Sequence, residues 1–407
     1  MPQPAEPCDR YFAGKHVLVT GGSEGLGLAL AARAVRGGAA AVTLIARTKS
    51  KLERAAEELR KEDGATSTTP TPTLIQTFSA DVTDSQALDR AVREAEKAAE
   101  GGGVDVLIAA AGAAECGYFH EAASSGAFAR QMQLNYLGVV HAVQAVYGGM
   151  VERAGRRGRW MAQERQQRGR RRGAGDDDNP SSPPKQQHIL IVASAMSLLN
   201  FVGYAAYSPS KWALRGLAEG LRNELQGSGI GGGDGNDAND ANGSSSTNNN
   251  KTLRSSSSCD VRVTIAFPPD VDTPGYARES LEKPPECAKI SEGSPLYSAD
   301  AVARCVVKGM AQGCFVAPNP SPVLALLQAL CRGVVPPSAG PEFSFFFLSS
   351  ARLRGWLALP LEMLLGFFGP LIASVAGIEH DGVARAMAPK RFAGLWRGGG
   401  GEVAAPS

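Results

Sequence analysis

The sequence predicts a doubly wound α/β fold built on a mainly parallel sheet, with an apolar region after it. Three observations carry that expectation. First, the apolar run at 16–20 leads into Gly21-Gly22-Ser23-Glu24-Gly25-Leu26-Gly27 and then into an Ala/Leu-faced helix. Such a strand, glycine loop and helix form a cradle in which backbone N–H groups and a helix N-terminus face a pyrophosphate. Second, short apolar runs recur at 41–46, 74–80, 104–110, 189–193 and 261–267. Each has the length and branching of a strand buried on both faces. Third, the run at 189–193 ends at Ser194, and Tyr207 and Lys211 follow at a helix start. The carboxyl end of a strand is where open α/β sheets bind ligands, which makes the expected sheet Rossmann-like.

Composition narrows the function. An apolar fraction of 43% in 407 residues supports a sizeable core, and a net charge of +2 gives no global case for nucleic acid. The seven cysteines form no C-x-x-C pair and do not cluster with histidine. They read as reduced thiols, so neither a disulfide frame nor a metal site is expected. Residues 1–14 are polar and Pro-rich, a tail without the apolar core of a signal peptide.

Taken in order, the glycine loop at 21–27 is the expected phosphate site, although its spacing differs from the usual G-x-G-x-x-G. Glu24 lies within that loop, where an anion is unwelcome beside a phosphate unless it points outward. The second strand ends at Arg47, with Lys51 one turn later. An acidic residue there would bind the ribose of NAD, whereas an Arg suits the 2′-phosphate of NADP. The third strand ends at Asp81, placed to meet the adenine, to cap the helix expected over 84–99, or both. A helix from about 127 carries Asn135, whose modest helix propensity leaves a kink or a held water as an alternative to a surface position.

The arginine-rich stretch 153–187 reads as a solvated, disordered insertion, and 227–258, rich in Gly, Asn and Ser, as a flexible loop. Pro209 fits only the first turn of a helix, which puts Tyr207 and Lys211 four apart on one face. A phenol of pKa near 10 is a poor acid at neutral pH, and an ammonium beside it favours the phenolate. Ser194 would hold a substrate carbonyl oxygen. Residues 268–275 form a Pro-rich loop over the nicotinamide end of the site, and 299–311 one more amphipathic helix. Residues 356–376 are apolar except for Glu362. This tail suits membrane contact, spanning or re-entrant, or else a helical cap over the substrate cleft.

Together Thr20-Gly21-x-x-x-Gly25-x-Gly27, Asp81-Val82, Ala111-Gly112, Asn135, Ser194 and Tyr207-x-x-x-Lys211 resemble the short-chain dehydrogenase/reductase family over about 15–312. Ala46-Arg47, Asn135-Tyr136-Leu137-Gly138 and Pro268-Pro269-Asp270-x-Asp272-Thr273-Pro274-Gly275 are similar to the branch that reduces 3-keto sphingoid bases. The resemblance implies an NADPH-dependent oxidoreductase of sphingolipid synthesis. Its partners would be a long-chain keto sphingoid base and the endoplasmic reticulum membrane, with the site facing the cytosol and homo-oligomerisation left open. By position, Tyr207 would give the proton, Ser194 hold the oxygen, Lys211 lower the tyrosine pKa and bind the ribose, and Asn135 hold a relay water. Gly21, Ser23, Glu24, Gly25, Gly27, Arg47, Lys51, Asp81, Tyr207 and Lys211 would line the NADPH site. Ala109 stands where the family usually has Asn. The expected organisation is a tail (1–14), a reductase domain (15–312), an apolar membrane-associating region (313–385) and a terminal tail (386–407). Rival readings are a related reductase of a steroid, retinoid or 3-ketoacyl chain, or a non-catalytic NADPH-binding membrane protein.

Overall fold

Six parallel strands form one sheet: β1 (His16–Thr20), β2 (Ala41–Ala46), β3 (Leu74–Ser79), β4 (Val106–Ala109), β5 (Gln187–Val192) and β6 (Val261–Ala266). Their order is β3-β2-β1-β4-β5-β6. The chain therefore reverses its direction of travel across the sheet between β1 and β4, which pair from Val17↔Val106 to Thr20↔Ala109. A crevice opens at the carboxyl ends of strands at such a switch point. The structure is a computed structural model that describes residues 6–66, 71–100, 102–170, 185–227 and 261–331.

The apolar runs become strands because helices cover both faces. On one face α1 (Gly25–Arg36), α2 (Lys49–Thr66) and α10 (Ala299–Gln312) pack Leu30, Leu52, Leu59 and Met310 against Val19, Leu44 and Ile108. On the other, α3 (Ser85–Ala98), α6 (Gly138–Arg170) and α7 (Tyr207–Gly227) bring Leu88, Met150, Leu214 and Leu221 onto Leu18, Leu107 and Ile191. The edge strand β3 is only partly buried, and its Gln76 bonds back to Thr43 Oγ1 and Ala95 O.

Several expectations are corrected. Residues 1–14 are not all tail: Asp9–Phe12 form a 3₁₀ turn with Phe12 fully buried, because its ring enters the α1/α10 face and Asp9 meets buried Arg33. The stretch 153–187 is not disordered throughout, since α6 runs unbroken to Arg170. Arginine is a good helix former, and that propensity wins over low complexity here. The reductase domain does not end at 312. Phe315 is buried in its core, Val316 pairs with Ile265, and α11 (Pro322–Leu330) packs Leu327 against the same face. The rest of the expected membrane region, 332–385, the tail beyond it, and nearly all of 227–258 lie outside the described residues. Among the described residues no helix is long and apolar enough to cross a membrane. No group of His, Cys, Asp and Glu there could hold a metal ion.

Candidate active site

The crevice at the switch point holds about 680 Å³ and gathers nearly every residue singled out above. Its nucleotide half is built by the β1–α1 turn. Gly21 has φ +70°, and a Cβ there would lie 2.7 Å from the Ala111 backbone. At Gly27 a Cβ would meet the Gly21 carbonyl at 2.3 Å. The backbone thus approaches where only glycine fits, as a pyrophosphate cradle requires.

Glu24 turns to the rim of the crevice, where it accepts from Lys51 Nζ at 2.6 Å and from the Arg278 guanidinium. Those two cations hold its carboxyl below the usual range against the opposing effect of partial burial. Arg47 is largely exposed, with Nη1 3.9 Å from Asp81 Oδ2. Asp81 does not cap the helix after it. Its Oδ1 accepts from the Thr83 N–H and hydroxyl, and Asp84 caps α3 through Gln86 and Ala87. Asp81 is thereby fixed at the crevice wall, free of the capping role.

The catalytic half joins the loop after β5 to the first turn of α7. Ser194 accepts from Met196 N at 3.2 Å. Ser208 Oγ donates to Met196 O and Ser197 Oγ to Lys211 O, each at 2.8 Å, which locks the serine loop to the tyrosine helix. Pro209 sits in the first turn of that helix, as its spacing requires. Lys211 is buried, donates to Val192 O at 3.3 Å and lies 5.9 Å from the Tyr207 ring centroid. Burial lowers its pKa to about 8.

Tyr207 departs from the expectation that lysine lowers its pKa. Burial pushes it up, a hydrogen bond with Ser194 opposes this, and the Glu279 and Asp270 carboxylates push it further up. In this state desolvation outweighs the more distant ammonium. The phenol is therefore in its protonated form, the form that can donate.

Asn135 occupies a π-helical segment, Met132–Leu137, between α5 (Ala127–Gln131) and α6. It is fully buried, and its Nδ2 lies 3.0 Å from Ala113 O, 2.9 Å from Gln131 Oε1 and 3.1 Å from Ser210 Oγ. Its Oδ1 accepts from Ala113 N at 3.0 Å. The side chain is spent on stapling the loop after β4 to α7. Ala109 is buried in β4, where its methyl joins the core.

The model of the short chain dehydrogenase family matches residues 15–159. The 3-dehydrosphinganine reductase of Danio rerio is 32% identical over 324 residues, 79% of this chain and 76% of its own. The chain belongs to the short-chain dehydrogenase family. The 3-ketodihydrosphingosine reductase of Bos taurus is 32% identical to this short-chain dehydrogenase over 303 residues, 74% of this chain and 70% of its own. That of Dictyostelium discoideum is 29% identical over 354 residues, 85% and 86% of the two chains.

Three residues of this short-chain dehydrogenase have no role in the reading from sequence: Arg278, Glu279 and Tyr204. All three line the crevice. Glu279 accepts from the buried Tyr204 hydroxyl and lies 3.4 Å from Lys283 Nζ. The Glu279/Lys283 spacing in α8 (Pro274–Glu282) and the residue after it is a visible i,i+4 signal, but an ordinary surface pair looks the same. Cys116, beside them, is pushed up to about 12 by burial and by Glu279, so it is no nucleophile.

Proposed function

We infer that the protein reduces the ketone of 3-ketodihydrosphingosine to the alcohol of dihydrosphingosine with NADPH. The observation that carries this reading is the meeting of Ser194, Tyr207 and Lys211 with the Gly21–Gly27 cradle in one crevice, in a chain whose relatives bear that activity in their names.

The residues present fit the dinucleotide, because the Gly21–Gly27 turn, the Arg47 and Lys51 cations and Asp81 line one crevice with Ser194, Tyr207 and Lys211. The glycine cradle would take the pyrophosphate, Asp81 the adenine, Arg47 and Lys51 the 2′-phosphate, and Lys211 the nicotinamide ribose. When bound, NADPH supplies a hydride to the carbonyl carbon. The rest is the work of this chain. Ser194 donates a hydrogen bond to the carbonyl oxygen and fixes its direction. Tyr207 Oη gives its proton to that oxygen as negative charge develops there, and solvent restores the proton. Lys211 supplies a positive charge that favours the transient phenolate. Asn135 holds the loop and helix in register, and a relay water would bind beside it. Net, the ketone gains one hydride and one proton. Positioned proton donation of this kind contributes roughly 10²–10⁴-fold.

Tyr207→Phe tests the assignment. Sphinganine formation from 3-ketosphinganine should drop by about that factor while NADPH binding persists. Unchanged turnover in the variant would overturn it. The reading also puts the protein on the endoplasmic reticulum membrane with its crevice toward the cytosol. The apolar sequence 356–376 and the exposed Val323 and Leu326 of α11 support this. Recovery of the full-length protein in the carbonate-washed membrane pellet is the expected result, and its release into the supernatant would refute membrane insertion.

A further inference from the structure

The wall of the crevice beside Tyr207 carries an unbalanced charge. Asp270 lies in the loop after β6, and Glu279 in the second turn of α8. Both line the crevice together with Ser194 and Tyr207. Asp270 Oδ2 accepts from Tyr276 Oη at 3.4 Å, and Glu279 accepts from Tyr204. Among the described residues one cation faces the pair: Lys283, its side chain 2% exposed, 3.4 Å from Glu279 and 4.3 Å from the Tyr276 ring centroid. Lys211 is turned to the Val192 carbonyl on the other side, and Arg278 is bound to Glu24 at the rim. Two carboxylates therefore stand against one ammonium in a partly desolvated wall. A buried charge left unpaired is costly, so such a wall favours a cationic ligand.

The substrate inferred above carries that charge at the right place. Its amino group, an ammonium at neutral pH, sits on the carbon next to the ketone. When the carbonyl oxygen reaches Ser194 and Tyr207, the ammonium is two bonds from the reacting carbon, within the same shell of side chains. We propose that Asp270 and Glu279 form the subsite for this ammonium and restrict the enzyme to ketones with a vicinal amine. The ammonium brings the wall to neutrality. It also offsets the two negative charges that resist phenolate formation at Tyr207. The substrate thus contributes to its own protonation: an amine-free ketone leaves the phenolate facing both carboxylates.

The inference rests on the assigned reaction, and its test separates the two. The wild-type full-length enzyme is assayed with 3-ketosphinganine and with 1-hydroxyoctadecan-3-one, which has the same chain and hydroxyl but no amine. Charge-assisted pairing predicts kcat/KM about 10–100-fold higher for the amine. In Glu279→Gln and Asp270→Asn, with NADPH affinity as the check on folding, the ratio of the two kcat/KM values falls toward one. A wild-type ratio within about threefold of one would overturn the subsite whatever the variants do, since a charge-assisted bond is worth more than that. So would variants that bind NADPH and keep the wild-type ratio. A wild-type enzyme that binds NADPH and reduces neither ketone would instead overturn the assigned reaction, and the subsite with it.

Discussion

His188 is buried in β5 with Nδ1 2.6 Å from Tyr11 Oη and Nε2 2.9 Å from Thr264 Oγ1. Burial, with Lys15 and Arg262 nearby, drives its pKa down to about 3, and His16 is lowered to about 4, chiefly by burial. Both rings stay neutral in the fold at pH values where the unfolded chain, with pKa near 6.5, takes up protons. Stability is therefore whole above about pH 6.5 and is lost as pH falls toward the folded values, at up to about 1.4 kcal/mol per pH unit for each ring. The urea midpoint should decline from pH 6.5 to 4, and His188→Gln should shallow that decline. An unaltered slope would show that His188 does not carry it. Nothing in the sequence around His188 announces this. A histidine in an apolar run becomes a burden only when the fold surrounds it. The same holds for Asp270 and Glu279, whose charge imbalance exists only once α8 folds against the loop after β6. By contrast Ser194, Tyr207 and Lys211 were legible, because strand end and helix start fix their relation by spacing alone.

Glu24 ties three elements together at the rim: the start of α1, Lys51 of α2 and Arg278 of α8. The carboxylate engages two cations that face the phosphate side of the crevice. Glu24→Gln releases them, so NADPH should bind about 2–5-fold more tightly at low salt, and the gain should shrink as screening grows. Weaker binding in the variant, measured by fluorescence titration, would mean that the bridge shapes the site more than it competes for cations. The strands were readable because a parallel sheet covered on both faces leaves continuous apolar runs. The π-helical turn at 132–137 was not readable, since a change of hydrogen-bond register leaves no trace in composition. Asn135 marked the place without revealing the geometry. Among Asp81-Val82-Thr83-Asp84, two acids could cap α3, and only the folded backbone selects Asp84.

Arg33 holds the N-terminal turn, α1 and α10 as one body. Its guanidinium is fully buried, with Nη1 3.1 Å from Asp9 Oδ1 and Nη2 2.9 Å from Asp300 Oδ2. Asp9 is itself fully buried. Arg33→Leu strands that carboxylate, and unfolding should become easier by about 3–5 kcal/mol. Adding Asp9→Asn should restore part of the loss, since the remaining group is then neutral. If the double variant is no better than the single one, Asp9 is not the stranded charge. Composition hid this hub, because a polar N-terminus and a charged helix each look like solvent-exposed chain.

At the far side of the sheet, Ile265 of β6 donates to Phe315 O at 2.7 Å and accepts from Ala317 N at 2.9 Å. The segment after α10 thus occupies the outward polar groups in the middle of the last strand. An open strand edge is a template on which a second chain can add a strand and begin aggregation. Here the polypeptide supplies its own stopper, so a crowded population of this protein is protected from growing sheet upon sheet at that rim.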